Sequence, residues 1–113
     1  IGHLGEMLRA SQCGVELRLA EVPVLAGGLE LAEQGVRSSI QGANAQALRD
    51  FTVMPSATDT GRLNLLSDPQ TSGGLLACIP PDQAGACLKA LNGAGIPAAV
   101  VGSLLPQDRQ VIV

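Results

Sequence analysis

The sequence predicts an α+β domain: a mixed β-sheet covered by helices. Three observations carry that prediction. Apolar residues recur at helical spacing in some windows, as at Ile1, Leu4 and Leu8. They alternate with polar residues in 15-VELRL-19 and run together in 75-LLACI-79, the patterns of a half-buried and a fully buried strand. Strand and helix patterns also alternate over residues 75–102, as in a crossover unit.

The elements follow in order. Residues 1–10 read as a helix ending near Ser11 to Gly14, and 15–19 as a half-buried strand. Pro23 suits the first turn of a helix running to about Gln34, with Gly35 just past its end. The pair Gly27-Gly28 inside it costs about 2 kcal/mol against alanine. Tertiary packing must hold that helix, or one glycine marks a close backbone approach. Residues 36–42 are irregular. Asn44 is placed to cap a short helix over 45–50, and 51–54 read as a short strand. The stretch 55-PSATDTGR-62 is the most loop-like: small, polar and without periodicity. Residues 75–79 then form a strand of the buried kind. Pro81 and Asp82 start a helix ending near Asn92-Gly93. Ala98 to Gly102 is a further apolar strand, and Gln110 to Val113 a last one. There is no internal repeat.

A chain of 113 residues is one domain on the usual size scale. Only 15% of its residues are charged, against about 25% typically. A surface this poor in charge points to a partner domain or subunit. The net charge is -3, there is no basic run, and Phe51 is the one aromatic residue. Nucleic-acid binding needs a basic stripe and often stacking rings, so that class is set aside. The apolar stretches are too short to span a bilayer, and no signal-peptide pattern opens the chain. It begins Ile1-Gly2-His3 without Met and reads as a fragment of a longer protein.

Three cysteines, Cys13, Cys78 and Cys87, lack metal-ligand spacing, and with a single histidine a zinc site is set aside. Cys78 and Cys87 read as small buried hydrophobes, and free thiols suit a reducing, cytoplasmic setting. Met7 and Met54 read as fillers of core gaps. His3 reads as a structural or capping residue, and the scattered carboxylates form no catalytic pair.

The segment 67-SDPQTSGGLLACIP-80 holds the densest information. Asp68-Pro69 favours turn initiation, and Gly73-Gly74 allows positive φ or a tight approach. Spacing alone is satisfied by a loop shaped to enter a strand. A binding role is equally physical: glycines bring backbone N–H groups close to an anion, and Gln70, Thr71 and Ser72 add neutral donors. There is no Gly-Lys-Ser/Thr and no following helix, so this is no P-loop. It suits the supporting wall of a phosphate site whose charge metal ions balance elsewhere.

The string 68-DPQTSGGLL-76 closely resembles the C-terminal domain of the selenide, water dikinase (selenophosphate synthetase) family. Gly2-His3-Leu4 with Glu6-Met7 resembles the end of that family's glycine-rich GFGLLGH segment and its helix. Leu29 to Ala32, Gly35-Val36, Asn44 and 97-PAAVVG-102 agree in order, so the likeness covers essentially the whole chain. It implies a fold like the C-terminal domain of aminoimidazole ribonucleotide synthetase. It implies that residues 1–113 are one domain of a longer two-domain enzyme, beside an N-terminal catalytic, ATP-binding domain. That enzyme forms selenophosphate, AMP and orthophosphate from ATP, selenide and water, with Mg2+, and dimerises through its N-terminal domains. The family's reactive Cys or selenocysteine, its Lys and its metal-binding aspartates lie before this segment. The resemblance therefore assigns no catalytic and no metal-binding residue to this chain. It makes Asp68, Gln70, Thr71, Ser72, Gly73 and Gly74 candidates for the phosphate cleft. Two alternatives stay open: a structural or partner-docking module without ligand contact, and another superfamily member acting in hydrogenase maturation or purine synthesis.

Overall fold

The structure, a computed structural model, describes residues 1–54, 56–57, 59–70, 72–107 and 109–113. Strands β1 (Gly14–Leu17), β2 (Thr52–Val53), β3 (Gly102–Leu105) and β4 (Gln110–Ile112) form one mixed sheet in the order β2-β4-β1-β3. β4 lies parallel to both β1 and β2, while β3 runs antiparallel to β1. The α+β class is thus as the sequence predicts.

The alternation in 15-VELRL-19 is used as written. Val15 and Leu17 are buried and Glu16 between them is half-exposed. Leu19 then turns into a short 3-10 helix, Leu19–Glu21, and stays buried. The core joins Leu8, Val15, Leu17, Leu19, Phe51, Ala57 and Ile112. β1 enters this core at close quarters: a β-carbon on Gly14 would collide with the backbone carbonyls of Arg109 and Pro106. Only glycine fits where the two chain segments meet.

Helix α1 (Gly2–Ser11) carries Leu8 into the core, with Ile1 and Leu4 packed beside it. It ends in a Schellman motif on Gln12, whose φ is 52°. There the N–H of Gln12 donates to the Arg9 carbonyl and that of Cys13 to the Leu8 carbonyl. Helix α2 (Gly28–Glu33) is shorter than the sequence reading of 23–34. Gly27 has φ 80°, outside the right-handed helical region, so the glycine pair marks the start of the helix instead of weakening its interior. α3 (Gln41–Asn44) leads directly into a 3-10 helix, Ala45–Asp50. Asn44 is already helical and makes no side-chain cap, because the turn begins three residues before it.

Three further expectations need correction. The loop-like 55–62 contains the start of a helix, α4 (Thr60–Leu65), although Pro55 and Thr58 lie outside the described residues. Thr60 and Gly61 hide it by composition, and packing holds it. Gly61 is buried where α4 meets Leu29 and Glu33 of α2. The strand read at 98–102 instead begins at Gly102, because its register sets Gly102 opposite Leu17. Residues 75–79, expected as a buried strand, pair with no strand among the described residues, and Leu75 is fully exposed at 102%. The crossover unit over 75–102 is therefore not closed.

α5 (Pro81–Gly93) follows the sequence reading with Pro at N1, but none of its residues is buried. Cys78 is accordingly exposed and Cys87 half-buried, since nothing covers this part of the chain as the core covers β1. Met54 is exposed too; it serves the fold through its backbone N–H, which donates to the Ile112 carbonyl at 2.9 Å. Among the described residues no helix is long and apolar enough to cross a membrane.

Ile112 has no exposed surface and sits on the strand that β1 and β2 share. Ile112→Ala is expected to lower stability by about 2–5 kcal/mol, from lost transfer energy plus the cavity left behind. Urea denaturation of the two proteins measures it.

Candidate functional site

The cleft is built where four segments from different parts of the chain meet. The first turns of α1 contribute Gly2, His3 and Glu6. Residues 22–25 and Gly28 form one lip, and Arg62 with residues 65–70 forms another wall. Asn44 and Ala47 close a third side. The open cleft has a volume of about 750 Å³, within the range of small-ligand sites.

Each wall is fixed by a hydrogen bond to a distant segment. The backbone nitrogen of Ile1 donates to the Leu66 carbonyl at 2.7 Å, which pins the start of α1 to the residues just before Asp68. The buried Gln41 donates through Nε2 to the Asn64 carbonyl at 2.8 Å. Arg62 donates through a guanidinium nitrogen to the Val22 carbonyl at 2.9 Å, tying the lip to α4.

The cap of α4 orients that arginine. The Asp59 carboxylate accepts the Arg62 backbone N–H at 2.9 Å and pairs with its guanidinium at 3.3 Å. This is N-capping by an Asp at the position that favours it, reinforced by charge. Past the helix, the N–H groups of Ser67 and Asp68 donate to the Asn64 and Leu65 carbonyls, so the chain turns over residues 64–68, just before the Asp68-Pro69 pair. Ser67 is 2% exposed, and its hydroxyl has no hydrogen-bond partner among the described residues. Such a group costs about 1–3 kcal/mol, so this corner of the wall is held by its surroundings at some expense.

Of the six candidates, Asp68 and Gln70 line the cleft. Ser72, Gly73 and Gly74 are exposed and do not line it, and Thr71 lies outside the described residues. Neither Gly73 nor Gly74 has a positive φ. Gly73 does show a tight approach: a β-carbon there would run into the Gln70 side chain. Its lack of a side chain is what lets Gln70 fold back over the loop.

His3, read from sequence as structural, stands at the mouth of the cleft beside Glu6. Arg62 was hidden inside the presumed loop. Its one sequence signal is the Asp59-x-x-Arg62 spacing of a capped first turn. The cleft offers amides, a hydroxyl-poor wall, two carboxylates, one imidazole and one guanidinium. That set can bind and orient a polar ligand. Among the described residues no three His, Cys, Asp or Glu side chains gather closely enough to hold a metal ion.

The family model for AIR synthase related protein, C-terminal domain, matches residues 1–113. Among curated relatives, selenide, water dikinase of Rhizobium meliloti (strain 1021) is 40% identical over 112 residues, 98% of this chain and 32% of the relative. The proteins of that name from Pelobacter propionicus and Clostridioides difficile are 38% and 32% identical. Those matches cover 100% and 99% of this chain, and 33% and 32% of the relatives. The chain thus spans about a third of the length of the curated relatives it matches.

Asp59→Ala removes both the cap of α4 and the partner of Arg62. Stability is expected to fall by about 0.5–2 kcal/mol. Thermal denaturation measures the loss, and Asp59→Asn, which keeps a capping oxygen, is expected to recover most of it.

Proposed function

The chain belongs to the AIR synthase related protein, C-terminal domain family, and from that premise we propose that it is the C-terminal domain of a selenide, water dikinase. The whole enzyme, in this reading, forms selenophosphate, AMP and orthophosphate from ATP, selenide and water. It acts in the cytoplasm, with Mg2+, as a homodimer joined through its N-terminal domains. One observation carries the reading: relatives of that name align along essentially all of this chain. Within the specific string Asp68 to Gly74, Asp68 and Gln70 line the cleft, which supports the reading.

Among the described residues no cluster of carboxylates, His or Cys fits a magnesium ion, and in this reading the chemistry belongs to the N-terminal domain. The proposed part of this chain is to position. Phosphoryl transfer asks a protein mainly for placement and charge compensation. The Gln70 and Asn44 amides donate hydrogen bonds to oxygens of a ligand entering the cleft. The Asp68 carboxylate accepts from donors or faces cations presented by the N-terminal domain across it. Ser72, Gly73 and Gly74 shape the loop that sets Gln70, Gly73 by leaving room for its side chain. The reactive nucleophile and the metal-binding carboxylates belong to the other domain.

In the full-length enzyme, Asp68→Ala and Gly73→Val are each expected to lower kcat/KM by about tenfold or more, corresponding to roughly 1.4 kcal/mol of lost transition-state stabilisation. Asp68 is exposed, so its variant should leave the melting temperature unchanged. Unaltered selenide-dependent AMP release in both variants would return the loop to a purely structural role.

A polypeptide of residues 1–113 alone is expected to show no ATP turnover with or without selenide, and turnover by it would refute the assignment of the chemistry to the other domain. Circular dichroism of the same sample verifies that it is folded.

A further inference from the structure

Two polar groups in one wall of the cleft are held in place with donor capacity left over. The first is Arg62. Its Nε pairs with the Asp59 carboxylate at 3.3 Å, and its Nη1 donates to the Val22 carbonyl at 2.9 Å. Nη2 has no partner among the described residues. The side chain is 25% exposed and lines the cleft. Among the described lining residues it is the one guanidinium or ammonium side chain, set against the carboxylates of Glu6 and Asp68. A guanidinium already fixed through Nε and Nη1 has given up its rotamer freedom before a ligand arrives, so little more is lost when Nη2 binds.

The second group is the Ser67 hydroxyl. Ser67 is 2% exposed and lines the cleft just past α4. Its N–H is spent on the Asn64 carbonyl, which fixes the backbone, while its hydroxyl has no partner among the described residues. Buried hydroxyls are almost always hydrogen-bonded, and bulk water does not serve one this enclosed. Arg62 lies in α4 and Ser67 in the turn that leaves it, so the helix capped by Asp59 sets the placement of both.

We propose that Arg62 and Ser67 form an oxyanion subsite in this wall, and that the group it takes is a phosphate, carried on a ligand or free. The two donors select that class. A guanidinium N–H and a hydroxyl O–H both give short, charge-assisted hydrogen bonds to an oxyanion, and a tetrahedral one accepts from both at once. A neutral ligand leaves the guanidinium charge unmatched, and a cationic one is repelled by it. The subsite also orients the ligand. Its negative end goes to α4, and any donor or cationic part goes towards Glu6 and Asp68. Arg62 and Ser67 are binding and positioning residues, and neither moves a proton. The inference deepens the dikinase reading and rests on it for the choice of nucleotide probe.

Titration calorimetry of the full-length protein tests it, with two probes. One is the non-hydrolysable β,γ-methylene analogue of ATP with Mg2+, and the other is orthophosphate. Arg62→Lys keeps the charge and loses the fork, and is expected to weaken binding about tenfold. Ser67→Ala is expected to weaken it about fivefold. The same variant is expected to keep or raise the melting temperature of the ligand-free protein, because it removes a buried hydroxyl without a partner. A merely structural serine does not combine an equal or firmer fold with weaker binding. Weakening with the analogue alone assigns the subsite to a nucleotide phosphate, and weakening with orthophosphate as well extends it to the free ion. Unaltered affinity of Ser67→Ala for both probes overturns the proposal. Unaltered affinity with a lowered melting temperature overturns it too, and gives the hydroxyl to a buried water. If Arg62→Lys folds poorly, Ser67→Ala decides alone. Selenide-dependent AMP release by the unaltered protein is read separately. Release with unaltered affinities in the variants refutes the subsite alone. No release, with affinity still dependent on Arg62 and Ser67, refutes the enzymatic assignment and supports the subsite.

Discussion

The insertion of β4 between β1 and β2 is the constraint on which the rest of the structure rests. The last residues of the chain close a sheet begun by its first strand. Val15 donates to the Arg109 carbonyl, Val113 to that of Leu17, and Leu19 to that of Val113. Met54 bonds to Ile112 from the other side. Ile112 is thereby wholly enclosed, beside Leu17 in the ladder and in one cluster with Leu8 and Phe51. A parallel pair cannot be joined by a tight turn, so a long connection must separate β1 from β2 and from β4. Gly14 shows how closely the strands and their connection meet.

The cleft inherits its shape from that commitment. Once α1 and α4 are seated on the core, three hydrogen bonds between remote segments set its walls: Ile1 to Leu66, Gln41 to Asn64 and Arg62 to Val22. Each is partly buried, which strengthens it relative to the same bond in water. Asp68 and Gln70 come to the cleft because the residues before them are held there. Their own side chains need no secondary structure, which is why a loop can carry them.

The stretch from Ser72 to Val100 contrasts with this. Its helix is well formed, yet it buries nothing. Pro81 at the start of α5 and the Gly95 turn at its end specify that helix locally. Local signals make a helix, but only an apolar surface to pack against makes it part of a core. The half-buried Ala84, Cys87, Leu88 and Leu91 show that the amphipathic face exists and is incompletely covered.

By itself the sequence determined the α+β class, the positions of α1, α5 and β4, and the family resemblance, through the string 68-DPQTSGGLL-76. These depend on short-range chemistry: periodicity, proline and glycine, and a contiguous string. Only the tertiary structure decided that Gly27 begins α2, that α4 lies within an apparent loop, and that β3 starts at Gly102. It also decided which candidates reach the cleft, joining Asp68 and Gln70 to His3, Glu6 and Arg62 while Ser72 to Gly74 lie outside its lining. The physical reason is common to all of these. Gly61 makes a helix because Leu29 and Glu33 lie against it, and Gly102 opens a strand because Leu17 stands opposite. Such partners are tens of residues away, and no window of local sequence contains them.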